Sequence, residues 1–330
     1  MGALEKPRGA SGPASQRRRL MELVGACSIE VSPRDELAGE RLCEVLAPGR
    51  TVFVNHPGSV THHDIVAACA RLRRARFEPV PHIAVRRLAS FTQASDFLQR
   101  AAGEAEVSTA LIIGGDPDHP VGPFPDSHDL LASGLVERHG LRAVAFAGYP
   151  EGHPRIAART LDEALRAKVA LARRQGLDVS LVTQFGFDAA PILRWIAALR
   201  AQDIACRVRV GIAGPATVAT LAKFAVRCGI GASLRALARG HTAFARILAE
   251  TGPDTLIDAL VAGEDPSRPI DGLHVFTFGG VRRTTEWIRA TTTRRVDEED
   301  RDFPIDGLHV FTFGGVRRTA AWIRSTTTAQ

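Results

Sequence analysis

Apolar positions along this chain follow two alternating rhythms. Short β-branched runs recur at residues 23 to 31, 51 to 55, 77 to 85, 109 to 114, 141 to 148, 179 to 184, 206 to 212 and 272 to 278, each of strand length. Longer stretches between them carry helical spacing. In HHDIVAACARLRRA, Ile65, Val66, Cys69 and Leu72 fall near i, i+1, i+4 and i+7, and in TLDEALRAKVALARRQ the residues Leu161, Leu165, Val169 and Ala172 do the same. Eight strands, each followed by a helix, predict a parallel sheet closed into a single-domain (β/α)8 TIM barrel. An open dinucleotide-binding sheet is disfavoured, because no GxGxxG follows the first strand.

One feature exceeds a plain barrel. PIDGLHVFTFGGVRRT at 269 to 284 recurs unchanged at 304 to 319, and TEWIRATTT then matches AAWIRSTTT with three substitutions. Two copies are too few to stack as a solenoid, and a closed barrel has room for one. The first copy is expected to be the eighth unit, because it follows its preceding helix through the short PSRPID connection; using the second would need a loop of roughly 35 residues. The expected layout is a flexible basic arm at 1 to 20, the barrel at 21 to 293, a charged linker at 294 to 303 and the duplicate at 304 to 330, outside the barrel.

Composition narrows the class only modestly. With 330 residues, 45% hydrophobic and 24% charged, the chain is an ordinary globular protein, and no apolar run reaches the roughly 18 residues that span a bilayer. A cytoplasmic enzyme with neither membrane nor nucleic-acid partner is expected, with homo-oligomerisation left open. Cys27, Cys43, Cys69, Cys206 and Cys228 are scattered and never spaced CxxC, against both a disulfide framework and a zinc site. The net charge of +6 sits partly in Arg17, Arg18 and Arg19 of the N-terminal arm, which reads as a solvated tail. Adjacent histidines on a helix point in different directions, so His62 and His63 are assigned no metal.

Polar residues gather where the expected strands end: Glu30, Asn55, His82, Asp116, the GYPEGHP run and Gln184. In a barrel these ends share one mouth, where active sites of this fold are built. Ordered strings there carry a family likeness: SIEVSPRD, IIGGDP, GYPEGHP, TQFGFD and HVFTF stand, in order and at compatible spacing over about residues 22 to 293, where methylenetetrahydrofolate reductases show FEFFPP, RGD, YPExHP, QFFFD and HFYTLN. The chain resembles that family of FAD-dependent TIM barrels.

The resemblance implies FAD as cofactor, NADH or NADPH as electron donor and a folate substrate. It gives Glu30 the role of acid in folate ring opening, and a carboxyl at a dry strand end can hold a proton near neutral pH; the bland reading is a surface pair with Arg34. Asp116, after Gly115, would lie beside flavin and pterin, though Gly-Gly-Asp-Pro is also plain turn chemistry. Asn55 and His82 would contact the flavin ring, with a core histidine as the alternative for His82. Tyr149 and His153 of GYPEGHP would lie near the adenosine of FAD, unless the prolines merely make a rigid loop. Asp162 and Lys168 would meet its ribose and diphosphate, or else form a solvated helical pair. Gln184 can present donor and acceptor to a pterin edge, or serve as a satisfied loop residue; Phe187 would pack on a ring, and Arg282 would meet the folate carboxylate. Three positions depart from the family strings: Gly114 replaces the arginine of RGD, Gly186 a phenylalanine, and Gly279 part of the last string. A folate-dependent methyltransferase barrel without flavin, and a non-catalytic folate-binding homologue, remain alternatives.

Overall fold

The structure, a computed structural model, describes residues 13–36, 38–228, 253–265, 267 and 269–299. Eight parallel strands close into a barrel in chain order: β1 (Ser28–Val31), β2 (Thr51–Val54), β3 (Glu78–Ala84), β4 (Thr109–Ile113), β5 (Ala143–Gly148), β6 (Asp178–Thr183), β7 (Arg207–Ala213) and β8 (Gly272–Phe276). The described helices are α1 (Pro13–Gly25), α2 (Ala38–Leu42), α3 (His62–Arg74), α4 (Phe91–Ala105), α5 (Ser127–Ala132), α6 (Leu135–Arg138), α7 (Ala158–Arg174), α8 (Ala189–Ala201), α9 (Val218–Cys228), α10 (Asp254–Gly263) and α11 (Val281–Glu299). None is long and apolar enough to cross a membrane.

Strand alternation sorts the side chains into two layers. Ile29, Val31, Val52, Val54, Ile83, Val210, Ile212, Leu273 and Val275 face outward into the main core shared with the helices. Their neighbours face in, and Phe53, Val80, Leu111, Ala145 and Val182 form a separate cluster that fills the barrel's middle. Each strand thus buries both faces, as a parallel sheet under helices requires. The helices dock through stripes such as Ile65, Val66, Ala68, Cys69 and Leu72 of α3. At the start of α3, Thr61 and Asp64 form a reciprocal capping box that satisfies orphan amides of its first turn.

Three boundaries differ from expectation by more than two residues. Residues 23 to 25 end α1 instead of beginning β1: Leu23 and Val24 are buried in the main core as helical residues, and a short apolar run has no periodicity by which to distinguish strand from helix end. The arm expected at 1 to 20 is helical from Pro13. It is anchored there, because Arg19 donates to Glu264 Oε1 at 2.8 Å and to the Ile270 carbonyl, while Leu20 is buried. The linker expected at 294 to 303 is helical as far as Glu299.

Two compact units divide the chain, Met1–Thr292 and Thr293–Gln330. The first copy of the repeat supplies β8, which pairs with β1 through Ser28↔His274 to Glu30↔Phe276 and with β7 through Arg209↔Gly272 to Ala213↔Phe276. The second copy, 304 to 319, lies outside the described residues.

With both edges of β8 paired, a closed barrel offers no further strand edge. A chain ending at Glu299 is therefore expected to melt within ~2 °C of the full chain, as measured by circular dichroism. Loss of cooperative unfolding in the shortened chain would mean that the first copy does not suffice for closure.

Candidate functional site

Inward positions toward the carboxyl ends of β1, β3 and β8, and the residue that follows β2, are polar, and closure brings them together. Glu30 stands on β1 with its side chain 13% exposed. Asn55 Nδ2 donates to Glu30 Oε1 at 3.2 Å. The Nε2 atoms of His82 and His274 lie 3.6 and 3.7 Å from Glu30 Oε2, just beyond hydrogen-bond length. Beneath them, the Phe53 ring edge packs on both imidazoles, with centroids 6.0 Å from His82 and 4.7 Å from His274. Ser28 Oγ sits 3.0 Å from His274 Nδ1 and 3.2 Å from the Leu273 carbonyl. Two tautomers are therefore open to His274. When the hydroxyl donates to Leu273, the ring carries its proton on Nδ1; when it donates to Nδ1, the proton moves to Nε2 and faces Glu30.

This cluster is under-satisfied. Asn55 Oδ1, His82 Nε2 and His274 Nε2 are buried and have no hydrogen-bond partner in the protein, and each such atom costs about 1–3 kcal/mol. Unpaired atoms converging on one carboxylate mark a place prepared for a proton or a polar ligand. Burial raises the Glu30 carboxyl, but the facing His274, His82 and the Asn55 amide outweigh it and hold the carboxyl below the usual carboxylate range. The direction of this shift runs opposite to the expectation that Glu30 by itself holds a proton near neutral pH. Burial pushes the His82 imidazole down to about 4, against the pull of Glu30, and lowers His274 as well. The surface pair with Arg34 does not form, because that guanidinium donates to the Ser59 carbonyl.

An aromatic wall adjoins the cluster. Phe276 packs edge-on against His274 with centroids 4.8 Å apart and lies parallel to Phe278, which stacks on Phe224 at 4.2 Å. Phe185 contacts Phe276, Phe278 and Phe187. Gly211 makes this possible, since a Cβ there would come within 2.9 Å of the Phe276 ring and 2.3 Å of the Thr183 carbonyl.

The other expected site residues are more dispersed. Gly115, at φ +94°, shapes the turn after β4, and a Cβ on it would meet Ala84 at 2.9 Å. Asp116 is 59% exposed, with the Arg87 guanidinium 3.8 Å away; Arg87 thus brings positive charge to the turn that holds Gly114, and its buried Nε has no partner. Tyr149 and His153 meet edge to face at 5.3 Å; burial raises the phenol, and burial with Arg155 and Arg86 lowers the imidazole. Gln184 accepts from the Phe185 amide at 3.1 Å and lines a small cavity with Tyr149, Glu151 and Ile192. Lys168 lies against the outward face of β5, its ammonium 5.1 Å from the Phe146 ring centre, and burial lowers its pKa. Asp162 is exposed on the same helix. Arg282 pairs with Glu286 one turn along α11 at 75% exposure.

Sequence reasoning missed His274, Ser28 and His56. The first lies inside the HVFTF string, so its inward parity on an expected strand was the available signal. His56 follows Asn55, accepts from the Ala84 amide at 3.3 Å and is lowered to about 4 by burial, Arg87 and His82. The argument about His62 and His63 is also corrected. Their rings meet at 4.1 Å, because both sit in the first turn of α3 and reach the same carboxylate, Asp96.

No family model matches the chain. Among solved structures it is similar to dihydropteroate synthase (FolP) from Thermus thermophilus, at 18% identity over 80% of this chain and 91% of that one, with a TM-score of 0.42. Tryptophan synthase from M. tuberculosis aligns at 15% identity over 87% and 100% of the two chains, TM-score 0.42. N-acetylneuraminate lyase from Fusobacterium nucleatum aligns at 9% over 84% and 79%, TM-score 0.41. At this level of similarity they carry no information about the reaction.

His82 and His56 give the site a defined pH signature. Each titrates near 4 in the folded chain against an ordinary value of 6.5, so between those values the unfolded chain binds protons that the folded chain refuses. Stability is full above pH 6.5 and falls as pH drops toward 4, by up to ~1.4 kcal/mol per pH unit for each histidine. Urea midpoints measured from pH 7 to 4.5 are expected to fall less steeply in His56→Gln and in His82→Gln than in the unaltered protein. Parallel slopes in all three would contradict the buried neutral state of these rings.

Proposed function

We propose that this barrel is a flavin-dependent oxidoreductase that reduces methylenetetrahydrofolate to methyltetrahydrofolate, with NADH or NADPH as the source of electrons. The observation that carries the reading is the meeting of Glu30, Asn55 and His82 beside a wall of phenylalanines at the mouth of the barrel. Glu30, which lies in one of the family strings, and Asn55 and His82, strand-end residues that the resemblance assigns to the flavin ring, are widely separated in the chain and share one polar cluster next to surfaces suited to a flat heterocycle.

The ring end of FAD fits the residues present. Asn55 Oδ1, His82 Nε2 and Arg87 Nε are buried polar atoms without partners, as a heterocycle edge requires, and Gly114 and Gly115 keep side chains away from the turn that carries Asp116. Tyr149 and His153, on the loop after β5, would hold the remainder of the molecule. Bound there, FAD would supply hydride transfer from the nicotinamide to the folate.

Glu30 acts on the folate. An anionic carboxylate in a partly dry mouth stabilises the positive charge that develops on the substrate when its five-membered ring opens to an iminium. The bridging nitrogen also needs a proton. One taken up by the cluster sits between Glu30 Oε2 and either unpaired Nε2, so the acid is the carboxylate with its imidazoles and not the carboxyl alone. Gln184, its carbonyl fixed by the Phe185 amide, would present its amide hydrogens to the pterin.

A second reading has its own observations. Asp162 is exposed, Lys168 rests on Phe146 and Arg282 pairs with Glu286, so none of the groups expected at the far ends of FAD and folate joins the Glu30 cluster. A folate-dependent methyltransferase barrel needs no dinucleotide contacts. An absorbance scan of the purified protein, followed by titration with FAD, separates the two: colourless protein that takes up no FAD supports the methyltransferase.

In the flavin-loaded enzyme, Glu30→Gln is expected to slow the folate half-reaction by ~10²–10⁴-fold while leaving reduction by NAD(P)H within a few-fold of normal. Stopped-flow traces of the two half-reactions provide the measurement. Equal losses in both would assign Glu30 to cofactor binding or to the fold.

A further inference from the structure

The start of α3 and the second turn of α4 bring together three ligating side chains that the proposed reaction does not use. His62 Nε2 lies 2.8 Å and His63 Nε2 3.5 Å from the same oxygen, Asp96 Oδ2, and one ligand atom from each residue falls within 4.8 Å of the others. We propose that His62, His63 and Asp96 form a binding site for a divalent transition-metal ion of the zinc class, with the fourth position open to water.

The geometry is close to what such an ion needs. Ligand bonds of about 2.0–2.1 Å in a tetrahedron place neighbouring ligand atoms about 3.3 Å apart, so the 2.8 and 3.5 Å spacings to Asp96 Oδ2 close on an ion with small shifts. Two imidazoles and one carboxylate suit zinc and its neighbours in the first transition row, and not the oxygen-seeking magnesium or calcium. The support is preformed. The capping box of Thr61 and Asp64 fixes the turn that carries both histidines, and Phe97 packs on the His62 ring with centroids 5.6 Å apart. His62 is 12% exposed, whereas His63 and Asp96 are 55% and 45% exposed, so the ion would have a protein side and a solvent side. The described partners of the Asp96 carboxylate are the two imidazoles.

A comparable trio, Asp126, His128 and Asp129, serves as the contrast. Its carboxylates already accept backbone amides in the capping box of α5, so an ion there would compete with the cap. An ion at His62, His63 and Asp96 would tie α3 to α4 beside the loop that carries Asn55 and His56, and would stabilise the folded chain by mass action.

The test uses the full chain freed of metal with a chelator and titrated calorimetrically with zinc chloride. One equivalent is expected to bind with low-micromolar affinity and to raise the melting temperature, and cobalt(II) is expected to give the visible absorption of a four-coordinate ion. His63→Gln and Asp96→Asn, both at half-exposed positions, should weaken binding at least ~10-fold while melting like the unaltered protein in chelator; His128→Gln should bind as before. Absence of zinc binding, or binding that His63→Gln and Asp96→Asn leave unchanged, would overturn the proposal.

Discussion

Closure of the parallel sheet is the constraint on which the rest of the molecule depends. Once eight strands form a ring, every second side chain is committed to a narrow interior. Phe53, Val80, Leu111, Ala145 and Val182 fill its middle, while Glu30, His82 and His274 follow toward the mouth. A carboxylate and two imidazoles so placed become one another's polar neighbours, together with Asn55 and Ser28. Their mutual electrostatics are a consequence of barrel geometry and inward parity, not of any local motif.

The same closure explains how the cluster tolerates unpaired polar atoms. Such groups destabilise a fold by about 1–3 kcal/mol each, and they persist only where surrounding packing over-determines their positions. Here the outward core of Ile29, Val52, Ile83, Leu273 and Val275 fixes the strands from outside, and the Phe53 ring supports both imidazoles from below. Rigid backing leaves the polar atoms oriented toward whatever enters the mouth, and that orientation is the preorganisation on which stabilisation of a charged intermediate relies.

The tandem repeat shows how topology can decide between identical sequences. Residues 272 to 278 and 307 to 313 have the same composition, parity and strand propensity, so no local preference separates them. Chain connectivity does. The first copy reaches the gap between β7 and β1 directly from α10 and takes both edges.

Much of this protein was readable from periodicity. All eight strands lie where alternation and apolar runs place them, and Glu30, Asn55 and His82 stand out because polar residues ending apolar strands have few structural uses. Tertiary structure alone decided the rest. That the Glu30 carboxyl is drawn below its ordinary range depends on His274, which hydrogen-bonds Ser28 across 246 residues of chain, and no window of sequence contains both. That Arg282 turns to Glu286, that Lys168 lies on Phe146, and that His62 and His63 converge on Asp96 are likewise outcomes of how helices rotate and dock. Sequence determined which residues face in, because strand parity is a local property of the backbone; only the closed ring determined which of them meet, because contact between distant strands is set by packing.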